Sequence, residues 1–244
     1  MQTILRVDRL DPSKNITDGF KAFGRLLAGT PELRGRVRFL AHLVVTRTEL
    51  PEYRQARTEA FAAADAVNAR FGVGGWQPIE IVCEENRIRA LAELGEYDVL
   101  LVNSLAGGMN LVAKEGAALN RRDGVLVLSR RAGAWEELGP WAIGVDPADI
   151  PGTAQALHEA LLLSPQERRE RAAGLRRAVA RTSLDGWLDG QLQDLSAVHQ
   201  DAERRRWGVA AGDREVAVAM TPHYSARIVN GHKTEPAPQV AAGP

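Results

Sequence analysis

The sequence predicts an α/β domain built on a doubly wound, mostly parallel sheet. Two observations carry this. Six short apolar runs rich in Val, Ile and Leu recur between segments of helical periodicity. The run at 97–103 is apolar on both sides, as a strand covered on both faces must be. A third feature is size: 244 residues with a hydrophobic fraction of 45% suit one full-sized α/β domain or two small ones.

The elements follow in order. "TILRV" (3–7) reads as the first strand, and "RVDRLDPSKN" (6–15) as the loop after it. "ITDGFKAFGRLLAG" (16–29) has apolar residues at helical spacing and closes on Gly29. "VRFLAHLVV" (37–45) is a buried strand. Residues 50–72 form a long helix with Pro51 near its start and Gly72 past its end. A strand at 79–83 and a helix at 86–95 come next. "YDVLLVN" (97–103) is a strand and "NLVAKEGAALN" (110–120) a helix. Strands at 124–129 and 141–145 and a helix at 151–163 complete the alternation. In 164–181, Ser164 is the expected N-cap, with Pro165 in the first turn and Glu167 three after the cap. The segment 184–195 is the last helical piece. The segment 196–221 stays open, with "DAERRRWGVAA" a possible helix. Residues 222–244 lack periodicity and are expected to be a disordered tail. Trp135, Trp141 and Trp187 are expected to pack.

Composition excludes several function classes. The 31 basic and 31 acidic residues cancel, so no global charge favours nucleic acid or an anionic membrane. No apolar run reaches the roughly 18–20 residues of a membrane span. Cys83 is the only cysteine. With "MQTILRVDRL" showing no signal-peptide pattern, a cytoplasmic protein is the expectation. The five histidines are scattered, and His42 and His158 read as packing or surface residues, so no metal site is expected.

Two segments point to chemistry. In open α/β sheets, ligands sit beyond the carboxyl ends of the strands, near helix N-termini. "NSLAGGMNLVAKEGAAL" (103–119) runs from a strand through a small-residue turn into a helix. Gly107 and Gly108 let the backbone approach a ligand closely. The first N–H groups of the helix lack internal partners and carry partial positive charge, which suits a phosphate. A turn that only packs fits the same residues. The second segment supplies Arg9 and Lys14, two cations five apart that could clamp a diphosphate. Alternatively, Arg9 pairs with Asp8 or Asp11, and Lys14 is solvated.

Together the segments resemble the trehalose-6-phosphate synthase family, whose members are retaining glycosyltransferases with two facing Rossmann-like domains (the GT-B arrangement). "RLDPSKN" stands where that family reads like "RLDYSKG", and "SLAGGMNLVAKE" where it reads like "PLRDGMNLVAKE". Segments 124–138 and 146–161 are also similar, and the resemblance covers about residues 3–195. It implies a single nucleotide-sugar-binding half, residues 1–195. Arg9 and Lys14 would hold the donor diphosphate as its catalytic cations. Gly108, Asn110, Leu111 and Val112 would form the phosphate-binding helix start. Glu115 would take the ribose hydroxyls, and the loop at Glu84–Asn86 would border the base. The implied reaction moves glucose from UDP-glucose or GDP-glucose to glucose 6-phosphate by front-face displacement, with no metal or other cofactor.

Two departures qualify this. The family's Asp before "GMN", a donor-sugar contact, is Gly107 here, and the preceding Arg is Ala106. The chain also starts near the first strand of the family's C-terminal domain. The expected partner is therefore a separate N-terminal acceptor domain or a second copy, and the chain alone is expected to be weak or inactive. A nucleotide-sugar-binding or docking module without catalysis, and a truncated gene remnant, are the alternatives.

Overall fold

The computed structural model describes residues 1–181 and 184–206. The strands are β1 (Gln2–Arg9), β2 (Val37–Val44), β3 (Ile79–Cys83), β4 (Val99–Val102), β5 (Val125–Ser129) and β6 (Ile143–Val145). The helices are α1 (Ile16–Gly29), α2 (Pro51–Phe71), α3 (Arg87–Leu94), α4 (Leu111–Leu119), α5 (Trp135–Leu138), α6 (Ile150–Leu162), α7 (Pro165–Arg181) and α8 (Leu184–Arg206). Every strand pairing is parallel, and the spatial order is β3-β2-β1-β4-β5-β6. This is the doubly wound sheet that the alternating pattern predicts.

Period-two alternation explains why the strands read as continuous apolar runs. Val99 and Leu101 join the cluster under α1, α2 and α6, while Leu100 and Val102 join the one under α3, α4, α5 and α7. β4 is therefore covered twice. On the first face Phe39 meets Phe20 and Phe23 edge-on, with ring centroids 5.2 and 5.5 Å away. On the second, Gly174 of α7 lies so close to Trp141 that a Cβ there would stand 2.1 Å from the indole.

Some boundaries move. β1 runs to Arg9, so residues 6–9 belong to the strand and not to the loop. Trp141 ends a 3-10 turn at Gly139–Trp141, and β6 begins only at Ile143. The capping box of α7 forms: Glu167 Oε2 accepts from Ser164 N at 2.9 Å, and Glu167 N donates to Ser164 Oγ at 3.3 Å. Helix α8 passes Leu195 and reaches Arg206, so the open segment is helical that far. Residues 207–244, including the expected tail, lie outside the described residues. Trp135 and Trp141 pack on the second face, but Trp187 is 56% exposed, because its helix presents it outward.

The described chain divides into two compact units, the first ending at Gly190. All six strands and helices α1 to α7 belong to the first.

Candidate functional site

Strand order sets the position of the site. From β1 the chain winds outward through β2 to β3, then crosses back to place β4 on the other side of β1. The loops after β1 and β4 therefore leave the sheet in opposite directions and open a crevice at their carboxyl ends. These are the loops that carry Arg9 and Lys14 and the glycine turn.

The two loops are joined directly. Leu105 N donates to Ser13 O at 2.8 Å. Asn15 sits at φ 58°, a left-handed conformation that Asn tolerates better than most residues. From there its Nδ2 donates to Pro147 O at 2.7 Å and to Asn103 O at 3.3 Å, while Asn103 Nδ2 donates to Asn15 O at 3.3 Å. The crevice is framed by fixed walls.

Beneath it lies a charged network. Arg6 is fully buried. Its Nη1 donates to Asn103 Oδ1 at 2.6 Å, its Nη2 donates to Lys14 O, and Nη2 lies 3.1 Å from Asp8 Oδ2. Lys14 Nζ reaches the other oxygen of Asp8 at 3.4 Å. Burial pushes the Asp8 carboxyl up, against the pull of Arg6 and Lys14. Two cations surround one carboxylate, leaving net positive charge below the crevice.

The sequence-based candidates fall as follows. Arg9 is largely exposed and lies 3.8 Å from Asp11, one of the alternative pairings read from the sequence. Lys14 is not free in solvent: its side chain is 19% exposed and it bridges to Asp8. Asn110 caps α4 from φ 47°, its Oδ1 accepting from Ala113 N at 3.3 Å. The N–H groups of Leu111 and Val112, at the first positions of α4, have no intrahelical acceptor. Gly108 has open space around its would-be Cβ, while a Cβ at Gly107 would make ordinary contacts with Asn110 Nδ2 at 3.8 Å and Ser104 Cβ at 3.9 Å. Glu115 is half-buried, with Arg87 Nη2 3.7 Å away. Lys114 Nζ binds Glu137 Oε1 at 2.6 Å. At the end of β3, Asn86 caps α3 and Glu84 O meets His42 Nε2 at 3.2 Å.

Sequence reasoning missed four contributors. Arg6 and Asp8 lie in a strand, and Arg6 alternates inward with Ile4; a charge inside an apolar run was the available signal. Asn103 was read only as the end of a strand. Gly133 is required by packing, since a Cβ there would stand 2.8 Å from Gly108 O, and its N–H donates to Gly107 O at 2.9 Å. It seats the glycine turn on the loop after β5.

A cleft of about 360 Å³ opens where these loops meet, lined by Asn15 and Leu105 and by Asp11, Asp18, Lys21, Glu52 and Glu59 among others. Its acidic excess disfavours a diphosphate. Among the described residues no group of His, Cys, Asp and Glu could hold a metal ion, and no helix is long and apolar enough to cross a membrane.

The model of glycosyltransferase family 20 matches residues 1–197. The trehalose-6-phosphate synthase of Sinorhizobium fredii is 39% identical over 197 residues, covering 80% of this chain and 42% of the relative. That of Salmonella arizonae is 35% identical over 210 residues, covering 84% and 44%. Among solved structures, an alpha,alpha-trehalose-phosphate synthase (UDP-forming) from Burkholderia vietnamiensis superposes with a TM-score of 0.76 at 36% identity, over 83% of this chain and 45% of that one. The trehalose-6-phosphate synthase from E. coli bound with UDP-2-fluoro glucose gives 0.76 at 34% identity, over 80% and 44%. The chain thus spans less than half the length of the relatives it matches.

Proposed function

Because the chain belongs to glycosyltransferase family 20, we propose that it binds the nucleotide-sugar donor, UDP-glucose or GDP-glucose, in the β1/β4 crevice. The observation that carries this reading is the joining of the two loops at the switch point, Leu105 N to Ser13 O at 2.8 Å. It brings the segment with Arg9 and Lys14 against the turn that leads into α4. Between UDP and GDP, the solved relatives described as UDP-forming, or as bound with UDP-2-fluoro glucose, favour UDP.

The chemistry follows from charge. The diphosphate lies over the free N–H groups of Leu111 and Val112, where the helix dipole adds partial positive charge. Arg9 swings from Asp11, and Lys14 shares its ammonium between Asp8 and the phosphate. Glu115 accepts the two ribose hydroxyls. When the bond from the anomeric carbon to the diphosphate breaks, negative charge grows on the leaving oxygen, and these cations stabilise it without a metal. Glucose 6-phosphate supplies the hydroxyl whose oxygen bonds to the same face of that carbon, and its proton passes to the departing diphosphate oxygen. Binding of glucose 6-phosphate needs an acceptor site facing the crevice. Bringing donor and acceptor together contributes roughly 7–11 kcal/mol.

Gly107 favours a second reading, a nucleotide-sugar-binding module without catalysis, because no side chain reaches the sugar from that position. Calorimetry with UDP, GDP and their glucose conjugates tests the proposal. UDP should bind, and Lys14→Met should weaken it by about 10-fold or more, as befits a charge-assisted hydrogen bond. Failure of all four ligands to bind would overturn donor recognition. A coupled assay with glucose 6-phosphate, repeated with an acceptor domain added, separates the two readings.

A further inference from the structure

We infer that Arg6 is the positioning residue of the diphosphate site: its buried guanidinium ties Lys14 to the end of β4 and so sets the spacing of the two loops before any ligand arrives. This rests on the donor-binding reading above.

Arg6 touches both walls of the crevice. One terminal nitrogen donates to Asn103 Oδ1, at the root of the loop that leads to α4; the other donates to Lys14 O. The same guanidinium lies 3.1 Å from Asp8, and Asp8 in turn lies 3.4 Å from Lys14 Nζ. Backbone and side chain of Lys14 are thus both referred to Arg6. The fork geometry matters, because two directed donors fix a distance between two loops, which a point charge cannot do.

Stability alone does not account for this arrangement. A fully buried ion pair gains little over an apolar residue of similar size, and Arg6 Nε is buried without a partner, which is a cost. The surroundings also make room for it. Gly19 of α1 faces the guanidinium, and a Cβ there would stand 2.7 Å from Arg6 Nη1 and 3.5 Å from Asn103 Oδ1. A glycine inside a helix lowers helix stability relative to alanine, so α1 accepts that cost where Arg6 needs the space. Arg6 therefore acts through Lys14 and the α4 tip and does not itself meet the ligand.

The test titrates the full chain with UDP by calorimetry and with uridine by NMR shift perturbation. The wild type is compared with Arg6→Met, Arg6→Lys and Gly19→Ala. Arg6→Met keeps Lys14 as counter-ion to Asp8, and Gly19→Ala displaces the guanidinium while favouring the helix. Both should weaken UDP by about tenfold, which is about 1.4 kcal/mol, and leave uridine within about twofold. Arg6→Lys should not restore UDP binding, since it lacks the fork. UDP affinity that matches the wild type in Arg6→Met and Gly19→Ala overturns the inference alone, and so does an equal loss of UDP and uridine. A wild type that ignores UDP overturns the donor-binding reading and this inference with it.

Discussion

Asn15 and Asn103 hold each other reciprocally: each side-chain amide donates to the other's backbone carbonyl at 3.3 Å. The pair closes the end of the β1 loop onto the end of β4, 88 residues further along the chain. It sits beside the Arg6 contact to the same Asn103 side chain, so one asparagine serves both links. The crevice therefore owes its shape to contacts between loops that are remote in sequence.

Replacement of Asn15 should separate its backbone role from its side-chain role. Asn15→Gly keeps the left-handed turn but loses the bonds to Asn103 O and Pro147 O, a cost of about 1–3 kcal/mol. Asn15→Ala loses the same bonds and also strains at φ 58°, adding about 1–2 kcal/mol. Urea denaturation should rank wild type above Asn15→Gly above Asn15→Ala; equal stability of the two variants would remove the backbone part.

Gly107→Asp should be accommodated, because its Cβ meets no atom closer than 3.8 Å. The new carboxylate would lie near Asn110 Nδ2, which is buried without a partner, and could reach a sugar hydroxyl. UDP-glucose binding should strengthen relative to UDP by about 1–3 kcal/mol, the value of a restored polar contact. Parallel titrations of both ligands read this out; an unchanged ratio would show that position 107 does not meet the sugar.

Gly174→Ala sets two effects against each other. Helix propensity favours alanine by about 1 kcal/mol. The added methyl would stand 2.1 Å from Trp141 Cδ2, a rigid ring that cannot yield, and overpacking of this kind costs about 1–3 kcal/mol. The clash should win, and the thermal midpoint should fall.

Asp11 should make part of the stability pH-dependent. Partial burial opposes its ionisation, but hydrogen bonds from Ser13 and Tyr53 and the charge of Arg9 prevail and hold its carboxyl below the ordinary 3.8. A carboxyl depressed on folding stabilises above the unfolded value and loses that contribution as pH falls through the folded one. The stability gap between wild type and Asp11→Asn should narrow between about pH 5 and about pH 3. A gap that stays constant across that range would mean the carboxylate contributes nothing.

The capping box at Ser164 and Glu167 and the helix start at Asn110 were legible because caps are local: residues three apart decide them. The charge network was not. Arg6 stands inside the strand run "TILRV", but nothing local shows that it meets Asn103 and Lys14. Asn103 gains its meaning only when β4 lies next to β1. The length of α8 was equally hidden, because its exposed residues carry no core-facing stripe to mark a boundary.

Taken alone, the order of residues settled the alternation of strands and helices and the helix start at Asn110, since each depends on neighbours within one or two turns. Tertiary structure decided which loops face one another, and with them the Arg6–Asp8–Lys14 cluster and the acidic cleft beside it. The reason is topological: the crossover from β3 to β4 sets the neighbours of β1, and no short-range pattern encodes a pairing between residues so far apart in the chain.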